Sequence, residues 1–235
     1  MAAGTAPELL ARAAEAVGFE VAGRAWDAGE ALERIRRQET DLLLADAVLP
    51  GLDGVALARA ALELPLRVHP AVVLIAPPGL IIPGADGLAA MNALLIPSPA
   101  EGSAVRAAFD AIVARPPSLP EDRARRLTGL MDSLGVPEHP GRRALELAVG
   151  LAYLDGRRLR DMKRRLYPAV AGHAGMTPAQ AERAMRYAID AAWRTGAIEE
   201  QNRIFGDTID ARRGRPTCGE MIAQLADNLR WEGRL

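Results

Sequence analysis

The chain has 235 residues, of which 49% are apolar, 25% charged and 4% aromatic, with a formal net charge of −1. This is a globular composition with room for two modest domains. No apolar run approaches the roughly 18 residues of a membrane span, no signal-peptide pattern opens the chain, and the lone Cys218 excludes an internal disulfide or a cysteine metal site. A single unpaired cysteine fits the reducing cytoplasm, and the three histidines, His69, His139 and His173, show no metal-ligand spacing. The charge is divided unevenly. Residues 1–120 hold 9 Arg against 14 acids, net −5, and residues 121–235 hold 20 basic residues against 16 acids, net +4. A basic second half calls for an anionic partner.

In chain order, PELLARAAEAVG (7–18) has helical apolar spacing. FEVAGRA (19–25) reads as a strand and AGEALERIRRQ (28–38) as a helix. DLLLAD (41–46) is a short apolar strand ending in an acid, and LDGVALARAALE (52–63) is a helix. AVVLIA (71–76) and ALLIP (93–97) are strands, and EGSAVRAAFDAIVA (101–114) is a closing helix. Such alternation predicts a parallel sheet covered by helices, with any site at the carboxyl ends of the strands. RPPSLPED (115–122) places three prolines in six residues, which marks a stiff linker over 116–122 between domains 1–115 and 123–235.

The second half is helical throughout by pattern: 121–135, 141–155, 157–175, 177–196 and 217–232, punctuated by Gly and Pro. Within TPAQAERAMRYAIDAAWRTG (177–196), Thr177, Pro178 and Gln180 make a capping box with proline at the first helical position. Ala181, Ala184, Met185, Ala188, Ile189 and Ala192 form a buried stripe, and Ala179, Gln180, Arg183, Arg186 and Tyr187 face away from it, with Glu182 on the flank. Ala171, Gly175, Ala181 and Ala184 fall at helix-turn-helix intervals: small residues where two helices cross and a glycine at the turn. A plain helical bundle with a solvated arginine face satisfies the same spacing. No nucleophile–base pair, phosphate-cradling glycine loop or metal cluster is visible, so no enzyme is expected.

Two resemblances sharpen these readings. Asp46, ending LLLAD and followed by AVLPGLDG, makes residues 7–114 resemble the receiver domain of two-component response regulators, a flavodoxin-like α/β fold. The resemblance implies that Asp46 occupies the phosphoacceptor position, with Pro50 and Gly54 shaping the loop. The family's acidic pair on a first strand has no counterpart in MAAGTA, its hydroxyl residue aligns with Ala76, and its lysine aligns with Ser98 ahead of Pro99. Phosphoryl transfer to a carboxylate needs a divalent cation held by several carboxylates, so Asp46 is expected to be inactive and Mg²⁺ only a partner of a working receiver. An upstream first strand would restore the acids but neither the threonine nor the lysine. Without that strand, FEVAGRA either pairs directly with DLLLAD or leaves an apolar edge open to self-association.

Residues 127–230 resemble the effector domain of the sporulation master response regulator, the stage-zero transcription factor of endospore-forming bacteria. The residues carrying it are LGVPEHPG, AYLD, RRLYPAVA, ERAMRYAIDAAWRTGAIE, IFGDTI and RPTCGEMIAQLADNLR, in the family's order. It implies double-stranded DNA as partner through a TGTCGAA-like box, binding as dimers, with Glu182, Arg183 and Arg186 at base-reading or backbone positions. Ala179 and Gln180 stand where the family has serine and arginine, and Tyr187 where it has histidine. Lys163, Arg164 and Arg165 are candidate phosphate contacts. GAIEEQNRIFG (196–206), with Ile198, Glu199, Glu200 and Arg203, lies where the family touches the RNA polymerase sigma factor; otherwise it is a connector packed by Ile198, Ile204 and Phe205. Three functions stay open: a DNA-binding regulator with a degenerate receiver, a regulator switched by phosphorylation of Asp46, and an interaction adaptor without productive DNA binding.

Overall fold

The computed structural model describes residues 7–49, 51–206, 209, 210 and 212–231. The chain divides into two units, Met1–Pro120 and Glu121–Leu235.

The first unit is built on three parallel strands in the order β1 (Leu42–Asp46), β2 (Ala71–Ala76), β3 (Ala93–Pro97). Leu44 lies opposite Val73, which lies opposite Leu94. β2 is central and buried at every position, which explains its unbroken apolar run: a parallel strand covered on both faces has no polar side. On one face Val72, Leu74 and Ala76 pack with Ala28 and Ala31 of α2 (Ala28–Arg37) and with Val55, Leu57 and Ala58 of α3 (Gly54–Glu63). On the other, Val73 and Ile75 pack with Leu10 and Ala13 of α1 (Pro7–Glu15) and with Val105, Ala108 and Ile112 of α4 (Gly102–Ala114). Asp27 and Asp53 start α2 and α3 by accepting the backbone N–H of Glu30 and Ala56, at 2.8 and 2.7 Å.

The strand expected over FEVAGRA does not form: residues 19–25 belong to no regular element. Phe19 packs edge-on against Phe109 of α4, with ring centroids 5.0 Å apart, and Gly23 lies under the Arg34 side chain. The segment's one large aromatic is spent on a helix, and Ala22 and Gly23 add little β propensity. Among the described residues β1 pairs with β2 alone, so the direct pairing of FEVAGRA with DLLLAD is not made.

The second unit is helical: α5 (Glu121–Ser133), α6 (Pro140–Leu154), α7 (Tyr167–Ala174), α8 (Pro178–Thr195), α9 (Ile198–Phe205) and α10 (Cys218–Arg230). A 3-10 turn (Gly156–Asp161) and a π turn (Met162–Leu166) lead from α6 into α7. α6 runs through the centre, with Ala144, Leu145, Ala148, Val149 and Ala152 fully buried. It packs against α8 and α10, whose Met185, Ala188, Ile189, Met221, Leu225 and Leu229 are buried. Gly141 in its first turn lies against the α8 backbone at Ala184, where any Cβ would collide. The buried Arg142 fixes the α5–α6 turn: it pairs with Asp132 at 2.7 Å and donates to the Val136 carbonyl at 3.0 Å. Arg230 closes α10 onto α6 by donating to the carbonyls of Ala152 and Tyr153.

Candidate nucleic-acid interface

α7 and α8 meet through a tight turn. Gly175 takes the left-handed conformation (φ 66°, ψ 37°) that ends α7, and its N–H returns to the Ala171 carbonyl, the geometry a glycine adopts at least cost. Thr177 then caps α8. Its Oγ1 accepts the Gln180 N–H at 3.3 Å and its own N–H donates to Gln180 Oε1 at 2.8 Å. Both arms of the capping box are present, with Pro178 at the first helical position. Gln180 therefore has its amide oxygen committed to the helix start.

α8 is divided lengthwise. Ala181, Met185, Ala188, Ile189 and Ala192 are buried, while Ala179, Gln180, Arg183, Arg186 and Tyr187 are exposed and Glu182 is half-buried. Arg183 makes no hydrogen bond or ion pair among the described residues. Arg186 pairs with Glu182 one turn back. Tyr187, 51% exposed, rests on the His139 ring with centroids 4.8 Å apart. His139 in turn caps α6, its Nδ1 accepting the Gly141 N–H at 3.1 Å. The tyrosine standing where histidine was expected is thus held from below by a helix cap.

Glu182 and Arg186 lie close to a buried pair behind them. Burial first, then the nearby Cys218 thiol and Glu182 carboxylate, push the Tyr167 phenol up to about 12. Burial likewise pushes the Cys218 thiol up. Both groups stay neutral at physiological pH and act as packing beneath the charged pair.

Lys163, Arg164 and Arg165 are exposed on the π turn before α7. The Arg164 N–H is accepted by Asp161 at 3.2 Å, and the three cationic heads are unpaired among the described residues. They form a second basic cluster on the chain leading into the α7–α8 pair.

Residues 198–205, read as a sigma-factor contact or else a connector, form the helix α9. Ile204 and Phe205 are buried, Phe205 edge-on to Trp193 at 5.2 Å. Gln201 is buried and donates to the Ala192 carbonyl at 3.1 Å. Ile198, expected to pack inward, is 72% exposed: it shares a face with the buried Gln201 and Phe205, three and seven residues on, but stands at the N-terminal end of the helix, beyond the part of that face that is buried. Glu199 is exposed, and Glu200 is paired with Arg203 at 2.6 Å.

Sequence reasoning missed three charged residues of this surface. Asp190 and Arg194 continue the outward stripe of α8 at four and eight residues beyond Arg186. Arg215, from the segment before α10, forms an ion pair with Asp190. Periodicity alone would have found the first two; nothing local pairs Arg215 with them.

In the first unit Asp46 ends β1, opposite Ile75, and Ala76 ends β2, where its carbonyl accepts the Ser98 N–H at 2.8 Å. Gly54 opens α3, and Pro50 lies outside the described residues. No three His, Cys, Asp or Glu side chains converge on a common point among the described residues.

A three-stranded parallel sheet with helices on both faces, followed by a helical unit presenting an arginine face on a capped helix, is compatible with a receiver-like unit and a helical effector. Residues 127–229, inside the second unit, match the family described as sporulation initiation factor Spo0A C terminal. No helix of the described residues is long and apolar enough to cross a membrane.

Proposed function

We propose that the protein is a sequence-specific DNA-binding transcription regulator of the sporulation-initiation type, in which α7 and α8 act as a helix-turn-helix and α8 enters the major groove. The observation that carries this is the exposed Arg183, unpaired among the described residues, on a capped helix whose opposite stripe is buried, within the stretch that matches the Spo0A C-terminal family. The first turns of such a helix meet base edges, and arginine can bridge guanine O6 and N7. Arg183 and Arg186 read bases, Glu182 accepts from a cytosine amine, and Tyr187 lies beside them. Ala179 offers only a methyl group, and Gln180 serves the cap. Lys163, Arg164 and Arg165 neutralise phosphates. The target is a TGTCGAA-like box bound by a homodimer in the cytoplasm. The exposed side of α9, with Ile198, Glu199, Glu200 and Arg203, faces the RNA polymerase sigma factor. The first unit is a pseudo-receiver that does not signal by ordinary phosphorylation of Asp46.

The test is selection of duplexes from a random pool by the full-length protein, followed by gel shift on the enriched site. A single enriched box whose binding weakens with salt and with Arg186→Ala supports the reading. Enrichment of no sequence, at low salt, rejects it in favour of an adaptor.

A further inference from the structure

The α8 stripe does not end with the two arginines assigned to bases. Ala179, Arg183, Arg186, Asp190 and Arg194 follow one another at three- and four-residue steps, so all five lie on one side of the helix. At about 1.5 Å of rise per residue, Asp190 lies about 10 Å along the axis from Arg183. The major groove is about 12 Å wide. A helix whose first turns touch base edges therefore has its later turns near the phosphates that bound the groove. A bare carboxylate there would be repelled. Asp190 is not bare: Arg215 is paired to it.

The segment bringing Arg215 there is pinned rather than loose. The Arg213 guanidinium donates to both Glu220 oxygens, at 2.9 and 2.8 Å, and to the Arg215 carbonyl at 2.9 Å. Pro216 is buried, and Thr217 and Glu220 close a second capping box at the start of α10. The Asp210 carboxylate accepts the Arg212 N–H at 2.8 Å and sets the turn. On this frame the exposed side chains of Arg212 and Arg194 have no partner among the described residues.

We propose that residues 212–215, tethered to α8 through Arg215–Asp190, form a second phosphate-contacting element that grips the duplex backbone beside the groove α8 enters. Arg212 and Arg194 make the contacts, Arg213 anchors the segment, and Arg215 cancels the one carboxylate on the path. The proposal rests on the DNA-binding reading and adds a backbone clamp to it. Free cations on a pinned segment next to a reading helix suit phosphate, which is contacted without regard to sequence.

The experiment measures full-length protein on its selected duplex and on a scrambled one of equal length, by fluorescence anisotropy across a salt series. Arg212→Ala and Arg194→Ala remove side chains without partners, so native circular dichroism is expected of both. Each is expected to weaken binding to the two duplexes by the same factor. Each should also make the log–log salt slope shallower by about 0.9, one phosphate's worth. An unchanged slope in both arginine variants, or a loss confined to the selected duplex, overturns the clamp. Arg183→Ala keeps the two readings apart. If it erases the preference for the selected duplex while the clamp variants do nothing, only the clamp fails. If wild type binds neither duplex, both fail.

Discussion

At the scale of single residues, the question is whether Arg186 is free to leave Glu182. The two side chains are 56% and 31% exposed, and exposed helix pairs one turn apart contribute only about 0.3–0.5 kcal/mol. A good bidentate arginine–guanine contact is worth about 1–3 kcal/mol of discrimination. On the proposed reading the base would outcompete the carboxylate, and the pair would hold Arg186 extended until DNA arrives. Glu182→Ala should change urea stability by less than about 0.5 kcal/mol while relaxing base preference in a competition gel shift. Arg183→Ala has no internal pair to lose, so its cost should fall wholly on discrimination, about tenfold or more at one base position. Cys218 gives a test of the buried layer below. Its thiol is pushed up by burial, so the thiolate is disfavoured in the fold. That stabilisation of the neutral form is fully present below the thiol's unfolded-state pKa. Above that value folding stability falls as pH rises. Iodoacetamide at about pH 8, where a free thiol is partly ionised, should label Cys218 slowly in the native protein and quickly in urea, followed by mass spectrometry. The α8 stripe could be read from periodicity because its contacts are local. The Arg215–Asp190 pair could not, since it joins elements that only the tertiary fold brings together.

At the scale of elements, the α7–α8 turn is where local chemistry and packing agree most closely. Gly175 is left-handed, and a Cβ there would meet no atom within 4 Å. Any cost of Gly175→Ala is therefore backbone strain, about 1–2 kcal/mol. Thr177→Ala opens the capping box and should cost about 1 kcal/mol. Equilibrium urea unfolding checks both, and both variants should also weaken DNA binding because they loosen the start of α8. Capping and turn signals are short-range, which is why these boundaries were legible in the sequence. FEVAGRA was not legible for the opposite reason. A strand exists only with a partner, and residues 19–25 have Phe19 drawn onto α4 and no strand alongside. α9 was missed because Gly196 and Gly206 bracket only eight helical residues, and so short a helix is sustained by its packing of Ile204 and Phe205 rather than by propensity.

At the scale of the molecule, the issue is how the first unit bears on the second. The sheet places Asp46 at the carboxyl end of its edge strand, where a receiver would take a phosphoryl group. The transfer leaves three oxygens sharing negative charge, and enzymes of this chemistry meet that charge with a metal and fixed cations. Here Ala76 and Ser98 stand where a hydroxyl and a lysine are needed, and no second and third carboxylate join Asp46 among the described residues. Incubation with acetyl phosphate and Mg²⁺ should thus leave the intact mass unchanged, and Asp46→Ala should bind the selected duplex with wild-type affinity. A stable gain of one phosphoryl group in wild type and not in Asp46→Ala would restore the phosphorylation switch. The fragment 121–235 carries its own core around α6 and should keep the base preference of the full chain. Affinity is where the two should part: a first unit that self-associates raises the effective concentration of the second α8 at a paired box. Full-length protein should therefore bind a two-box duplex more tightly than the fragment, and both should bind a single half-box equally. Equal affinity of fragment and full chain on the two-box duplex would remove any role of the first unit in dimeric binding.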